Sequence, residues 1–235
     1  MKILALDTSN QTLAVAVLED DHVLANFQLN RKLNHSLTLM PAIDQVMAAC
    51  ELAPSDLERI VVAEGPGSYT GIRIAVTTAK TLADTLKIEL VGISSLATIA
   101  ANVLTDKWIV PLFDARRNNV YSGIYRNVNG TLQLVAKDQH QALADLLKQI
   151  DQPAIFVGDA QKFSEQITAA LPEAEITTTD FLNLPNAAQL GKLGFVAPAA
   201  TDIQNFVPAY LKKVEAEEQW LKTHHPEDEN YVEKI

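Results

Sequence analysis

The sequence predicts an α/β fold in which one strand-rich unit occurs twice. Three short apolar segments rich in β-formers open the chain, and alternating helical and strand patterns follow them. The same order returns after Thr105-Asp106-Lys107, without close sequence repetition. Strands followed by alternating helices and strands in both halves indicate a duplicated ββ(β)αβα module.

Hydrophobic periodicity sets the predicted elements of each half. In the first half the predicted strands cover residues 2–6, 12–18, 23–29, 58–63 and 87–91. The predicted helices cover 36–50, with Pro41 in or near the first turn, 71–86 and 94–104. In the second half we expect strands at 108–113, 120–126, 132–135 and 154–157. Helices are expected there at 141–150, 161–171 and 186–195.

Length and charge distribution predict two subdomains and a tail. At 235 residues the chain can hold two small domains, which we place at 1–105 and 106–222, and the last helix of the second can pack back on the first. The net charge is −10, and half of it lies in residues 215–235. We therefore predict an acidic, disordered tail over 223–235. Because no basic stripe is visible, any nucleic-acid contact is expected to be indirect, through a partner that supplies positive charge.

Several kinds of segment and site are missing from the sequence. No segment is long and apolar enough to cross a membrane, and Asp7 interrupts the apolar N-terminus too early for a signal peptide, so we expect a cytoplasmic protein without membrane contact. Cys50 is the only cysteine, which excludes an internal disulfide and a cysteine-rich metal site. No histidine pair has metal-binding spacing, and no nucleophile elbow, P-loop or paired-carboxylate motif appears. This chain alone does not have the motifs of an enzyme.

The most informative stretch is the run from Ile60 to Arg73, in which an apolar strand enters Gly65-Pro66-Gly67 and a helical pattern begins. We call residues 65–67 the Gly-Pro-Gly loop. Ser68 or Thr70 can cap the helix, whose N-terminus can attract an anion. The glycine spacing misses GxGxxG by one residue, and no Lys-Ser or Lys-Thr follows. We therefore expect a tight turn first and a ligand site second.

Polar residues at two other strand ends extend this candidate site. Asp7-Thr8-Ser9 ends the first strand, where actin-like and sugar-kinase-like ATPases hold a metal with an acidic residue, but Ser9 stands where glycine would best approach phosphate. A strand-end Asx turn is an alternative of at least equal weight. Asp114 with Arg116 or Arg117 forms an ion pair that braces a turn, or the exposed arginines instead meet a ligand or an acidic partner. The candidate vestigial nucleotide or anion site contains Asp7, Thr8, Ser9, Gly65, Gly67, Ser68, Asp114 and Arg116.

The helix predicted at 71–86 has two unusual faces. Small residues that would let another backbone approach closely recur at every fourth position: Gly71, Ala75, Ala79 and Ala83. A flank that is neither charged nor fully apolar contains Ile74, Thr78, Thr81 and Thr85. Such faces suit either a neighbouring helix of the same chain or a subunit interface.

Five motifs carry a family resemblance. They are Leu6-Asp7-Thr8-Ser9, Asn34-His35-Ser36, Gly65-Pro66-Gly67-Ser68-Tyr69-Thr70-Gly71-Ile72-Arg73, Asp114-Ala115-Arg116 and Pro208-Ala209-Tyr210-Leu211. Together they resemble the TsaB (YeaZ) family, which serves bacterial synthesis of threonylcarbamoyladenosine on tRNA. The resemblance implies a duplicated ribonuclease-H-like fold of the actin, sugar-kinase and heat-shock-chaperone (ASKHA) type, with two βββαβα-type subdomains.

The resemblance also implies a non-catalytic scaffold or activator subunit. Family members pair with a metal-bearing paralogue, TsaD, which transfers the threonylcarbamoyl group to the adenosine beside the anticodon, and with an ATPase, TsaE. An HxxxH pair binds the metal in that paralogue, whereas Ser95 and Ile99 stand at those positions here and cannot ligate it. We therefore expect no catalytic residue, metal or cofactor on this chain, with ATP and a divalent metal entering the complex through its partners. Asn119 replaces an acid that relatives often have.

The same resemblance implies that the partner binds the first two helices of the N-terminal half, across a pseudo-twofold axis. The predicted interface contains Leu39, Ile43, Met47, Gly71, Ile74, Ala75, Thr78, Ala79 and Ala83. We expect this surface to form a homodimer when the partner is absent. The alternative function is an independent nucleotide-binding ATPase of the actin-like superfamily, because Asp7, the Gly-Pro-Gly loop and Asp114 all lie at strand ends.

Overall fold

Two five-stranded mixed sheets with the same strand order form the framework of the protein. The computed structural model describes residues 1–212. The first sheet has the order β3-β2-β1-β4-β5, and its strands are β1 (Lys2–Asp7), β2 (Thr12–Glu19), β3 (His22–Asn30), β4 (Arg59–Gly65) and β5 (Glu89–Ser94). The second has the equivalent order β8-β7-β6-β9-β10, and its strands are β6 (Trp108–Asp114), β7 (Asn119–Val128), β8 (Thr131–Ala142), β9 (Ala154–Gly158) and β10 (Glu175–Ile176).

Strand direction repeats as well as strand order. In each sheet the first three strands pair antiparallel, and the fourth and fifth add parallel to the first. A parallel pair needs a crossover, which a helix supplies on the face of the sheet. This arrangement confirms the predicted duplicated α/β fold.

The helices begin where polar side chains cap them. They are α1 (His35–Ala49), α2 (Tyr69–Leu86), α3 (Ser95–Ala100), α4 (Leu143–Leu147), α5 (Ser164–Ala170), α6 (Asp180–Asn183) and α7 (Ala187–Val196). Short 3-10 turns cover Pro54–Asp56 and Asp159–Phe163. The side chains of Asn34, Ser68, Ser94 and Asn186 accept hydrogen bonds from the first backbone N–H groups of α1, α2, α3 and α7.

The first sheet is covered on both faces. Leu4 and Leu6 of β1 pack toward α1 and α2, whereas Ile3 and Ala5 pack toward α7. Burial on both faces accounts for the continuous apolar pattern of β1 and β4. The α7 helix follows the second sheet in the sequence but packs on the first, and the buried guanidinium of Arg59 donates to three carbonyl groups at its C-terminal end.

Several predicted boundaries in the second half are wrong. The strand predicted at 132–135 extends to Ala142, because β8 pairs with β7 along its whole length. That pairing takes the first residues of the helix predicted at 141–150, which shortens to Leu143–Leu147. The helix predicted at 161–171 begins as the 3-10 turn Asp159–Phe163. In each case pairing or packing with distant residues outweighs the local helical pattern.

The first helix also corrects two expectations. Its cap at Asn34 starts the helix at His35, so Pro41 lies in the second turn, where it cannot donate to the Leu37 carbonyl. The three- and four-residue spacing of Leu37, Met40, Ile43 and Met47 predicts that all four share one apolar face, but Leu37 and Met40 are 71% and 50% exposed. The buried side instead contains Leu39, Ala42, Ile43, Val46 and Met47.

An irregular segment, residues 198–212, runs back along the edge of the first sheet, and we call it the C-terminal strap. Its backbone donates from Ala200 to the Leu90 carbonyl (2.7 Å) and from Ala209 to the Glu64 carbonyl (2.8 Å). The ammonium group of Lys80 donates to two strap carbonyls. The predicted acidic tail, 223–235, lies outside the described residues. Over residues 1–212, no helix has the length and apolarity needed to span a membrane.

Candidate functional site

The two halves border an open cleft of about 860 Å³. The first half supplies the turn after β1, the start of α1 and the Gly-Pro-Gly loop, and the second supplies the end of β6 with the turn after it. Five residues of the predicted vestigial site line this cleft: Ser9, Gly67, Ser68, Asp114 and Arg116. Asp7 and Thr8 are fully buried, and Gly65 contacts the C-terminal strap instead.

Gly67 of the Gly-Pro-Gly loop and Gly71 of α2 make close contacts with the backbone of the same chain. A Cβ at Gly67 would overlap the carbonyl oxygen of Ser9, and a Cβ at Gly71 would overlap that of Thr8. Hydrogen bonds close the same contact: Ser68 N–H donates to the Ser9 carbonyl (2.6 Å), and the Thr8 hydroxyl donates to the Gly71 carbonyl (2.7 Å). Because these two glycines have no side chain, the end of β1 can pack directly against the start of α2.

Asp7 lies beneath the cleft with one oxygen paired. Its Oδ1 accepts the Ser9 N–H at 2.7 Å, which is the Asx turn that the sequence left as an alternative. Its Oδ2 and the hydroxyl oxygen of Ser9 are buried and have no hydrogen-bond partner among residues 1–212. Burial raises the pKa of the Asp7 carboxyl to about 6 because the charged form loses its hydration, although the Ser9 N–H lowers it in part.

The opposite wall of the cleft is an unusual turn. Arg116, Arg117 and Asn118 all have positive φ angles, between 52° and 67°. The Asp114 carboxylate accepts the Arg116 N–H (2.8 Å), and the Asn119 amide donates to the Arg117 carbonyl (3.1 Å). Asp114 and Asn119 therefore stabilise backbone conformations that cost about 1 kcal/mol or more each.

A second polar cluster joins the halves away from the cleft. The Asp138 carboxylate accepts from the Ser94 hydroxyl and from the Tyr125 hydroxyl, the latter at 2.6 Å. Burial raises the pKa of Asp138. Burial also raises the pKa of Glu64, and the negative charge of Asp138 adds to that rise. Asp138, on β8, thereby connects the end of β5 with β7 through its two hydroxyl partners.

No metal centre is formed by the part of the chain that is described. Ser95 and Ile99, at the positions of the paralogue's metal ligands, are both fully buried in α3. Within residues 1–212, no group of three or more histidine, cysteine, aspartate or glutamate side chains is placed to hold a metal ion.

The structure corrects most of the predicted partner interface. Seven of its nine residues are buried inside the chain: Leu39, Ile43, Met47, Gly71, Ala75, Ala79 and Ala83. The small-residue row lets α2 approach its own sheet, so it offers no surface to a partner. Ile74 and Thr78 alone among the nine keep partial exposure.

The exposed surface of α1 and α2 is turned away from that row. A groove of about 510 Å³ runs along it and is lined by Ser36, Tyr69, Thr70, Arg73, Ile74, Thr77 and Thr78. Met40 lies one helical turn after Ser36, on the same side of α1, and the adjacent Leu37 is the most exposed apolar side chain of that helix. We call Leu37, Met40, Arg73, Ile74, Thr77 and Thr78 the docking face. Exposed apolar side chains that neighbour a groove are typical of an interaction site.

The sequence carried a signal for part of this face. Leu37 and Met40 stand at three- and four-residue spacing with Ile43 and Met47, and Leu39 adds an apolar residue outside that spacing, so apolar side chains occur on two sides of α1. The sequence did not predict the ring contact between Tyr69 and Tyr210, which the C-terminal strap brings together. No local pattern predicts a contact between residues so far apart in the chain.

Comparison with known proteins gives consistent matches. Residues 22–220 match the family model described as TsaD, tRNA N6-adenosine threonylcarbamoyltransferase. The chain is 45% identical to the tRNA threonylcarbamoyladenosine biosynthesis protein TsaB of Bacillus subtilis, over 95% of this chain and 99% of that protein. It is 31% identical to the Escherichia coli protein of the same name, over 55% of this chain and 58% of that one.

A solved structure agrees with the fold. YeaZ from Pseudomonas aeruginosa superposes with a TM-score of 0.76 at 23% identity, over 89% of this chain and 99% of that one. At this level of identity the match supports the duplicated fold, while the sequence matches carry the relationship.

Proposed function

The chain belongs to the TsaB (YeaZ) family of tRNA threonylcarbamoyladenosine biosynthesis proteins, and we propose that it acts in this pathway as a non-catalytic subunit. In this proposal it binds and activates a TsaD-like paralogue, which carries the metal and the transferase chemistry. A TsaE-like ATPase joins the pair in the cytoplasm. ATP and the divalent metal enter through these partners, and tRNA contacts this chain only indirectly.

The docking face is the observation that carries the proposal. Two of its members, Leu37 (71% exposed) and Met40 (50% exposed), are apolar side chains that lie largely in water on the helix whose Ser36 lines the groove. Neither side chain contributes to the core that α1 forms through Leu39 and Ile43. Burying such side chains against a partner removes apolar surface from water, which is the main source of association free energy.

The cleft supports the non-catalytic part of the proposal. Its glycines pack against the backbone of the same chain, and the carboxylate of Asp114 accepts a hydrogen bond from the turn that follows it. Ser95 and Ile99 offer no pair of imidazole ligands to a metal. The paralogue is therefore assigned the transfer step, and the docking face is expected to form a homodimer when the paralogue is absent.

A double variant at the docking face tests the pairing. L37D combined with M40D places two carboxylates on the apolar surface, and we expect it to abolish co-purification with the TsaD-like paralogue from the same organism. In cells that depend on this gene, it should also abolish threonylcarbamoyladenosine in total tRNA. The matched control is L104D, because Leu104 is 83% exposed and lies outside the docking face.

Two results would contradict the proposal. Unchanged pairing by the L37D/M40D protein, with a normal unfolding curve, would exclude this face. Micromolar binding of ATP and Mg²⁺ to the isolated wild-type chain, together with turnover, would instead favour the alternative of an independent actin-like ATPase, for which the cleft is the only support.

A further inference from the structure

Three side chains form a ladder between the cleft and the docking face. The rings of Tyr210 and Tyr69 are stacked with centroids 5.1 Å apart and planes inclined by 31°. The guanidinium carbon of Arg73 lies 5.2 Å from the centroid of the Tyr69 ring. Arg73 Nη1 also donates to the Tyr69 hydroxyl at 2.9 Å. We call these residues the Tyr210–Tyr69–Arg73 ladder.

The backbone holds the outer end of this ladder in place. The N–H of Ala209 donates to the Glu64 carbonyl at 2.8 Å, so the strap residue before Tyr210 is bound to the end of β4. A Cβ at Gly65 would approach the Ala209 carbonyl oxygen to 2.8 Å, and only a glycine admits the strap at this distance. The Gly-Pro-Gly loop and the Pro208–Leu211 motif therefore meet, and their contact presents Tyr210 to Tyr69.

Arg73 has no acidic partner of its own. Within residues 1–212 no carboxylate forms an ion pair with it; its hydrogen bond goes to a tyrosine. The groove beside it is lined by neutral side chains, among them Ile74, Thr77 and Thr78. One Nη1–H is used by Tyr69, and the remaining guanidinium N–H groups are available to a ligand.

We propose that Arg73 binds a carboxylate on a helix of the partner subunit, with Tyr69 and Tyr210 as positioning residues. This inference rests on the proposed function, because the helix is that of the paralogue bound at the docking face. A guanidinium fork matches a carboxylate in a bidentate geometry, and a tyrosine stack reduces the entropy that the arginine loses on binding.

The surroundings favour a protein carboxylate over an RNA phosphate. Leu37 and Met40 lie on the same face and need an apolar partner surface. The chain has a net charge of −10, which repels a polyanion, and one arginine does not form the basic stripe that RNA binding requires. A partner helix with an acidic residue beside apolar ones would pair its carboxylate with Arg73 and cover Leu37 and Met40 with its apolar side chains.

Affinity measurements with the purified paralogue, at low and high salt, test the assignment. We expect R73Q to weaken binding at least about tenfold and to remove most of its salt dependence, because the charge is lost. R73K should recover only part of the affinity, since it keeps the charge but loses the fork. Y210A should weaken binding severalfold and leave its salt dependence unchanged. The Arg73 charge remains in this variant, but Tyr69 no longer packs against Tyr210 and so positions the guanidinium less well. The control R126Q removes an exposed arginine that bonds Gln133 in the second sheet, and it should bind as wild type does.

The outcomes separate this inference from the proposed function. If wild type binds the paralogue and R73Q binds it equally well, the carboxylate assignment is wrong while the docking face stands. If wild type does not bind the paralogue, the proposed function fails and this inference fails with it. A loss of tRNA binding by R73Q at unchanged paralogue affinity would identify a phosphate ligand and overturn the assignment. Restoration of R73E binding by one acid-to-arginine change on the paralogue's first two helices would identify the carboxylate.

Discussion

The cleft and the docking face share the segment of residues 65–86, yet the side chains are used differently at the two sites. In the cleft, Gly67, Gly71 and Asp7 Oδ1 contact the backbone of residues 8 and 9, while Asp7 Oδ2 has no hydrogen-bond partner among residues 1–212. On the docking face, Arg73 lacks an acidic partner in residues 1–212, and Leu37 is largely in water. A polar motif at a strand end can thus serve the chain's own packing, so its presence alone is a weak indication of a ligand.

The two halves differ in the same sense. Their sheets have equivalent order and strand direction, but α1 and α2 contain 15 and 18 residues, whereas α4 and α5 contain 5 and 7. A helix of one or two turns covers a sheet without leaving an extended outer surface. The duplication thus preserves the core of each half, and within residues 1–212 the longest outer helical faces are those of α1 and α2.

The largest effect is expected at the floor of the cleft. G71A places a methyl group on the Thr8 carbonyl oxygen, which belongs to the backbone and cannot rotate away. We expect the free energy of unfolding to fall by more than about 4 kcal/mol, or folding to fail. The control is G130A, where φ is positive but no atom lies within 4 Å of the added Cβ, and a loss of about 1 kcal/mol is expected. Chemical denaturation measures both variants. Equal losses would show that the close contact between Gly71 and the Thr8 carbonyl does not contribute specifically to stability.

Asp7 gives a smaller effect that depends on pH. Its pKa is about 6 in the folded protein against an ordinary value of 3.8, so its contribution to stability is fully present below pH 3.8 and is lost as the pH rises through 6. D7N keeps the oxygen that accepts the Ser9 N–H and cannot ionise. We expect it to raise the unfolding free energy by up to about 3 kcal/mol at pH 8, with the gain declining toward pH 4.

Denaturant titrations of D7N across this pH range, beside the exposed-carboxylate control D44N, measure the difference. The control replaces an exposed side chain and should change stability by less than about 0.5 kcal/mol. A D7N protein that is less stable than wild type at pH 8 would mean that the Asp7 charge has a stabilising partner in solution.

Local sequence patterns predicted those parts of the molecule that local physics determines. The strand ends, the cap at Ser68 and the α2 helix followed from apolar periodicity and turn residues. The long β8 strand did not, because its pairing with β7 is non-local. For the candidate site, the sequence named Ser9, Gly67 and Asp114 as part of a vestigial nucleotide or anion site; all three line the cleft, but the sequence could not tell that they also contact the chain itself. Burial decides that question, and burial is a property of the assembled sheets.

The interface prediction failed for a similar reason. Small residues at every fourth position allow close approach on any side of a helix, and the sequence does not state whether the approaching backbone is the chain's own or a partner's. Ala75 and Ala79 are fully buried against the first sheet. Arg73 and Thr77, two positions earlier on the helix in each case, are exposed. An offset of two residues on a helix turns a side chain by about 200°, and this rotation separates core from surface.

The smallest effect on stability is expected at the docking face, and it is the sharpest contrast with the cleft. L37A removes an apolar side chain that is 71% exposed, so the unfolding free energy should change by less than about 0.5 kcal/mol. L39A, two residues later, truncates a side chain that is 2% exposed and should cost about 2–5 kcal/mol. Denaturation of the isolated chain compares the two. A large loss in L37A would place Leu37 either in the chain's own core or in a homodimer that forms without the paralogue. A repeat at tenfold lower protein concentration distinguishes the two, because only a dimer loses stability on dilution. A neutral L37A that nevertheless weakens paralogue binding would show that this leucine is kept for association rather than for folding.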